Sequence, residues 1–435
     1  MKILETIKAK RHYGWVIFAL TIINLSIEGG MSKGEGVFQK ALSDPKAGFG
    51  RGAAVTSMVF SASGLVGFLA SPFLGRILDR MGPRFLFTVA AFFLLIGLVG
   101  SSLVSNLWFL FITYSLIATL GQNSIGSFAA TANLAPWFPR NRGRALGFAD
   151  MGNPLGAFIF VFVSQKLVSS IGWRGSYGVL GLLFFMMVAP ANFWLQRRAP
   201  RPTVNGGGGL EDSPAISGSE TGDATSQAPS DASGPAPLTT QQLLGMPALW
   251  LLFLTRSLVT MGGQMTEIHL ISFFTFTGYG DLRAASTISL VALLSIGGRP
   301  LIASISDRWG REAAFTLGVA LHLTSLLVAL QFADGVSLWP LALFVVFAGI
   351  SDGFSGLLVG TKAADIFPAN SLGTVMGIVE MGRGAGRAVG PFLGGLLFDL
   401  SGNYQPTFVV AGILLLASMC TMWLINLKRP ALQPV

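Results

Sequence analysis

The sequence predicts an all-α membrane protein of twelve transmembrane helices in two pseudo-symmetric halves of six. Three observations carry this: few charges, apolar runs that recur at the thickness of a bilayer, and motifs that repeat at a nearly constant offset. Of 435 residues, 51% are hydrophobic and 11% are charged, against roughly 25% charged in soluble domains. A water-soluble globule of this size would lack the charge to cover its surface.

The apolar runs fall at 13–36, 53–75, 85–104, 107–135, 145–169, 175–195, 247–276, 284–305, 313–332, 338–366, 373–399 and 405–427. At 1.5 Å per residue each crosses ~30 Å of hydrocarbon. Lipid offers the backbone no hydrogen-bond partner, and the runs lack the alternation of a membrane barrel, so they are read as helices. An even number of spans puts both termini on one side. The breaks on that side hold seventeen Lys and Arg residues, against seven in the opposite breaks, so the positive-inside rule places both termini in the cytoplasm.

The net charge of +9 therefore marks orientation and lipid headgroups, and nucleic acid is excluded as a partner. A lone Cys420 in the last run excludes a disulfide framework and a multi-Cys metal or redox site. No cleavable leader is read at the basic start, because the first run is longer than a signal-peptide core.

Residues 1–196 and 243–435 form the two six-helix halves, joined by a disordered cytoplasmic linker at 197–242. Between 199 and 240 the chain is rich in Gly, Ser, Pro and Ala, carries five acids and contains no aromatic residue, a composition that cannot build a core. The halves are related. Asp79-Arg80-Met81-Gly82-Pro83-Arg84 is answered by Asp307-Arg308-Trp309-Gly310-Arg311 at an offset of 228. Phe138-Pro139, Gly147 and Asp150-Met151-Gly152 are answered by Phe367-Pro368, Gly377 and Glu380-Met381-Gly382 at offsets of 229 to 230. Such a duplicated unit is the signature of a transporter whose substrate sits between two rocking halves.

With these motifs in view, the chain resembles the major facilitator superfamily. The family's cytoplasmic motif stands here as Gly75, Asp79, Arg80, Gly82 and Arg84, with a degenerate copy at Asp307, Arg308, Gly310 and Arg311. The resemblance implies that Asp79 and the nearby arginines, including Arg140, Arg142 and Arg144, form ion pairs that latch the inner side. A narrower resemblance is to monocarboxylate transporters and oxalate:formate antiporters, which carry a Lys toward the outer part of helix 1 and an Arg, often before Pro, in helix 8. Lys33 and Arg299-Pro300 match those positions. Animal monocarboxylate transporters place an Asp one turn before that Arg, where this chain has Ser295. The antiporters add a helix 11 cation, a place for Arg383 or Arg387.

An ionisable group at mid-membrane costs at least ~2.5–3.5 kcal/mol, so each one inside a span is a candidate for function. The Arg299 guanidinium can hold a carboxylate through two parallel hydrogen bonds. Lys33 follows Gly29 and Gly30 and offers a movable charge. Glu28, more than a turn away, could pair with Lys33 or carry a proton. Arg256, Thr260, Gly263 and Glu267 share one face of helix 7, and His269 could relay protons. Glu380, Arg383 and Arg387 form one stripe on helix 11, where Arg383 pairs with Glu380 and Arg387 needs a partner elsewhere. Gly382, Gly386, Gly390 and Gly394 give the same helix a bare face. Lys362 and Asp365 are spaced to pair with each other.

Substrate-binding candidates are thus Arg299, Lys33, Arg383, Arg387 and Asn123; proton-coupling or gating candidates are Glu28, Arg256, Glu267, His269 and Glu380. No metal-ligand cluster, nucleophile motif or Gly-x-x-x-x-Gly-Lys-Ser/Thr is found, which argues against an enzyme or an ATP-driven pump. An excess of positive charge within the spans points to an anion. The expectation is a secondary active, proton-coupled transporter of a small lactate- or pyruvate-like carboxylate. It would work as a multi-pass monomer in the plasma or cytoplasmic (cell inner) membrane, surrounded by lipid and without a cofactor. A carboxylate exchanger of the oxalate/formate type, or a transporter of another small organic solute, is the alternative.

Overall fold

The computed structural model describes residues 2–138, 142–198, 240–331, 338–368 and 371–427, and every regular element among them is helical. The first half holds α1 (Lys2–Ser43), α2 (Ala53–Met81) and α3 (Pro83–Leu103). Its α4 runs through Leu107–Leu110, a π-helical Phe111–Ala118, Thr119–Ile125 and Ser127–Leu134. Next, Arg142–Asp150 and Gly152–Leu195 contain α5 and α6. In the second half are α7 (Pro247–Phe276), α8 (Asp281–Trp309) and α9 (Arg311–Ala329), then α10 (Leu338–Ser351 and Phe354–Ile366), α11 (Leu372–Ser401) and α12 (Gln405–Leu427). Below, the terminal face is the end where α1 begins and α12 ends; the opposite end is the distal face.

Among the described residues, eight segments are long and apolar enough to cross a membrane, and one of them, Ala145–Leu195, has 51 residues, about twice what a bilayer needs. It doubles back at Gly172, whose φ of 72° and ψ of 170° are not helical. Before that glycine the chain runs parallel to α1, with Gly152 against Ile22 and Gly156 against Ser26. After it the chain returns: Trp173 donates to the Ala47 carbonyl, Tyr177 stacks on Phe38 and Asn192 bonds Asn24. These are α5 and α6. Of the remaining spans, α4 is interrupted, and α7 and α11 are diluted by glycine and ionisable groups.

Boundaries moved for physical reasons. α1 extends beyond the apolar run at 13–36 because Lys, Glu and Gln at its ends are good helix formers that need no lipid. α4 breaks at Gly126, extended at φ −70° and ψ 178°, and α10 breaks at Gly353, left-handed at φ 80°. The linker lies outside the described residues apart from its edges, and the helix Thr240–Leu244 begins inside the range assigned to it.

The repeated motif is a repeated conformation. Gly82 has φ 88° and ψ 167°, and Gly310 has φ 91° and ψ 163°. Each donates its N–H back to the helix before it, to Leu78 and Ser306, and starts the helix after it. At positive φ with ψ near 165° the backbone lies in a region essentially restricted to glycine, so only glycine makes this turn freely.

Apolar packing sorts into one large cluster in the second half and two in the first, with Val37, Val161 and Ile268 crossing. The halves meet along α2 and α11, α5 and α8, and α1 and α7. Asp399 of α11 accepts the Ala53 and Ala54 amides of α2, both at 2.9 Å, so a carboxylate of one half caps a helix of the other. Nearby on the distal face, Lys40 pairs with Asp281 and Ser272 donates to Gln39. Within the second half, the bare face of α11 lies on α7: a Cβ on Gly386 would come within 2.4 Å of the Ser257 carbonyl oxygen.

Replacing Gly82 or Gly310 by Ala is expected to cost roughly 1–3 kcal/mol each and to lower the thermal unfolding midpoint of the detergent-solubilised protein. Gly147→Ala is the control: the glycine is helical with nothing within 4 Å of a new Cβ, so the midpoint should hold or rise slightly. Asp399→Ala removes the cap between halves and should lower stability by about 1 kcal/mol.

Candidate functional site

A chain of charged and amide side chains crosses the interior where the two halves meet. It begins on α7, where Gln264 donates to Glu267 at 3.2 Å. Glu267 holds Lys33 of α1 at 3.2 Å, and Lys33 lies 2.7 Å from Asp352. Asp352 sits at the break in α10 and faces Arg299 of α8 at 3.6 Å. Arg299 reaches across to Asp150 of α5 at 2.5 Å. Asn153 then bonds Asp150 and Ser127, both at 3.1 Å. Ser127 donates its amide and hydroxyl to Glu28 at 2.9 and 3.0 Å.

Local structure explains why each group arrives. Gly353 turns the chain left-handed directly after Asp352, and a Cβ there would come within 2.5 Å of the Arg299 Nε. Glycine thus both breaks the helix and makes room for the guanidinium. At Gly126 the extended backbone frees the Ser127 amide, which Glu28 caps. Buried charges need partners within reach; here the partners come from different helices.

Three further ion pairs flank this chain. Arg387 of α11 is held by Glu35 of α1, which is fully buried and also accepts the Tyr114 hydroxyl at 3.3 Å. Arg256 of α7 lies 3.4 Å from Glu380 and donates to Ser355, while Arg383 lies 3.8 Å from Glu380.

Several expectations need correction. The spans hold no unbalanced positive charge around the site: Lys33 and Arg299 face Glu267, Asp352 and Asp150, and Arg387, Arg256 and Arg383 face Glu35 and Glu380. Counting cations span by span overlooked acids supplied by neighbouring helices. Lys362 does not pair with Asp365; it pairs with Glu312, and Asp365 meets Arg311. Glu28 bonds Ser127 and not Lys33.

Arg299, Lys33 and Glu267 come together as one cluster. His269 lies apart, its Nε2 2.9 Å from the Pro391 carbonyl. Asn123 turns its amide to the Thr119 carbonyl of its own helix, over Gly67. In the terminal-face motifs, Arg311 pairs with Asp307, Arg84 lies over the Phe193 ring and Arg198 donates to the Arg80 carbonyl. Gly75 lies inside α2, and Arg308 belongs to the last turn of α8. The side chains of Asp79, Arg142 and Arg144, and all of Arg140, lie outside the described residues.

Asp150, Asp352 and Glu35 were missed as site residues. Signals existed for two: Asp150 stands in the repeated Asp-Met-Gly, and Asp352-Gly353 is a turn dipeptide inside an apolar span. Position 295 is Ser, as the sequence shows, and the second carboxylate near Arg299 is Asp352 of α10.

The comparisons agree with this architecture. Monocarboxylate transporter 13 of Bos taurus is 25% identical over 407 residues, covering 93% of this chain and 87% of the relative. Monocarboxylate transporter 12-B of Danio rerio is 24% identical over 384 residues, covering 86% and 79%. Among solved structures, the nucleoside transporter NupG superposes with a TM-score of 0.69 at 10% identity, over 95% of this chain and 99% of that one. The family model for the Major Facilitator Superfamily matches residues 15–335 and 305–435. The chain belongs to the Major Facilitator Superfamily, and with it is a multi-pass membrane transporter rather than an enzyme.

Proposed function

We propose that this transporter moves a small organic carboxylate by alternating access, coupled to protons, with the substrate carboxylate held by Arg299. The observation that carries the reading is that Arg299 already holds a carboxylate. Asp150 reaches it from the other half at 2.5 Å, and its side chain is 42% exposed, so this partner can be exchanged for a ligand from solution. A substrate carboxylate would take the place of Asp150 on the guanidinium, which suits such a group through its paired donors. Asp352, the less exposed partner, would keep Arg299 in position.

Charge balance favours proton coupling. Two cations, Lys33 and Arg299, face three carboxylates, Glu267, Asp352 and Asp150. When an anion enters, one added proton offsets it in a medium where unbalanced charge is costly. The names of the monocarboxylate relatives point to the same substrate class. On this reading residues 1–196 and 243–435 rock against each other, 197–242 tethers them, and the terminal face is cytoplasmic, as the Lys and Arg count supports.

Purified protein in liposomes should accumulate labelled pyruvate under an inward proton gradient. Arg299→Ala should lower uptake roughly 100-fold and Arg299→Lys, which keeps the charge and loses the fork, about tenfold. Asp150→Asn removes the competing carboxylate and should lower the half-saturating pyruvate concentration. Equal uptake by Arg299→Ala would sink the reading; uptake that needs internal oxalate or formate and ignores the gradient would favour an exchanger.

A further inference from the structure

One buried acid lies outside the chain of groups that runs through Arg299. Glu35 of α1 is 0% exposed, and its Oε1 is held by Arg387 of α11 and by the Tyr114 hydroxyl at 3.3 Å. Its Oε2 is also buried and has no hydrogen-bond partner. The surroundings are aromatic: Tyr114 packs edge-on against Phe60 with ring centres 5.5 Å apart, and Tyr177 stacks on Phe38 at 3.9 Å. A carboxylate so placed keeps its charge only while a cation stays against it.

Each helix around Glu35 brings a different group. α11 supplies Arg387, α4 the Tyr114 hydroxyl from its π-helical turns, and α6 Tyr177, whose hydroxyl is buried without a partner. From α7 comes Glu267, whose charge acts on both Glu35 and Arg387. A Cβ on Gly36 would lie 3.3 Å from the Glu267 carbonyl oxygen, so α1 and α7 are in close contact here. On α1 itself Lys33 is turned to Glu267 and Asp352. Residues 53–75 of α2 hold no titratable side chain, and α5 offers Ser164 near Gly34. Gly34, Tyr114, Ser164 and Tyr177 line a cavity of about 10 Å³, room for one water, so a proton donor fits beside the hydroxyl that bonds Glu35.

Among the described residues, Glu28 and Glu35 are the buried acids. The hydrogen bonds of Glu28, to Ser127, stay within one half. Glu35 is held by an arginine of the other half. We propose that Glu35 is the site that takes up the transported proton, and that its neutralisation frees Arg387 and so loosens α1 from α11. The inference rests on the proton-coupled reading and names the group that performs it. The proton comes from water and adds to a Glu35 carboxyl oxygen as one O–H bond, and only hydrogen bonds are broken. Arg387 keeps its charge and stays in the field of Glu267, so the guanidinium is not left alone. Gain or loss of this proton changes how the halves are attached while Arg299 takes or gives up substrate.

The test compares net uptake with exchange in liposomes. Under an inward gradient of one pH unit, native protein moving one proton per pyruvate should accumulate labelled pyruvate about tenfold. Glu35→Gln keeps the shape of the side chain and cannot gain or lose the proton. It should reach only equal concentrations inside and out, yet still exchange labelled for unlabelled pyruvate without a gradient, at a rate that no longer varies with pH. Glu35→Gln combined with Arg387→Gln removes the stranded guanidinium as well. It should behave alike, and keeps the result readable if the single variant fails to fold.

Accumulation by Glu35→Gln equal to that of native protein overturns the proposal and leaves the proton-coupled reading standing, as expected if Glu28 carries the proton. Loss of exchange together with accumulation in both variants also overturns it, because the pair is then a structural tie. Native uptake of pyruvate that ignores the gradient sinks the proton-coupled reading, and the assignment of Glu35 with it.

Discussion

A charge inside hydrocarbon must find its opposite, and the rest of the structure is arranged around that demand. Lys33, Arg256, Arg299, Arg383 and Arg387 lie in helices that cross the membrane, and each lies against a carboxylate. Most of these pairs join different helices, so they fix neighbours as well as neutralise charge. Lys33 ties α1 to α7 and α10, Arg299 ties α8 to α5 and α10, and Arg387 ties α11 to α1. Apolar side chains alone could not set this order, because lipid tails are as apolar as leucine and leave packing and polar contacts to choose between neighbours.

The split between what the sequence reveals and what it hides follows from this. Span length, duplication and turn glycines are local properties, so the twelve helices and the related halves were legible. Gly82 and Gly310, matched by position in the chain, adopt nearly the same backbone angles. Helical spacing likewise put Glu380 and Arg383 on one face. Spacing along one helix says nothing about which helix stands opposite. For that reason Glu35 was not foreseen as the partner of Arg387, nor Asp352 as the partner of Lys33 and Arg299, and Lys362 was assigned to Asp365 when Glu312 lay across from it. The apparent surplus of positive charge was an artefact of reading one span at a time.

Duplication has not kept the two halves equivalent. Asp150 and Glu380 occupy matching places in the repeat, yet Asp150 crosses to Arg299 in the other half while Glu380 stays with Arg256 and Arg383 in its own. One copy of the motif therefore ties the two halves together, and the other lies within a single half.

The cap that Asp399 places on the first amides of α2 bears on how firmly the distal ends are held together. Neither amide would be stranded if α11 drew back, since this end of α2 lies beside the exposed residues 50–52 and water can replace the carboxylate. A helix cap is worth about 1 kcal/mol, and 1.4 kcal/mol is one factor of ten in population. On that scale the cap alone holds the joint closed only several-fold more often than open. Its contribution is a bias that ordinary thermal motion overcomes, not a lock that needs a separate energy source to release.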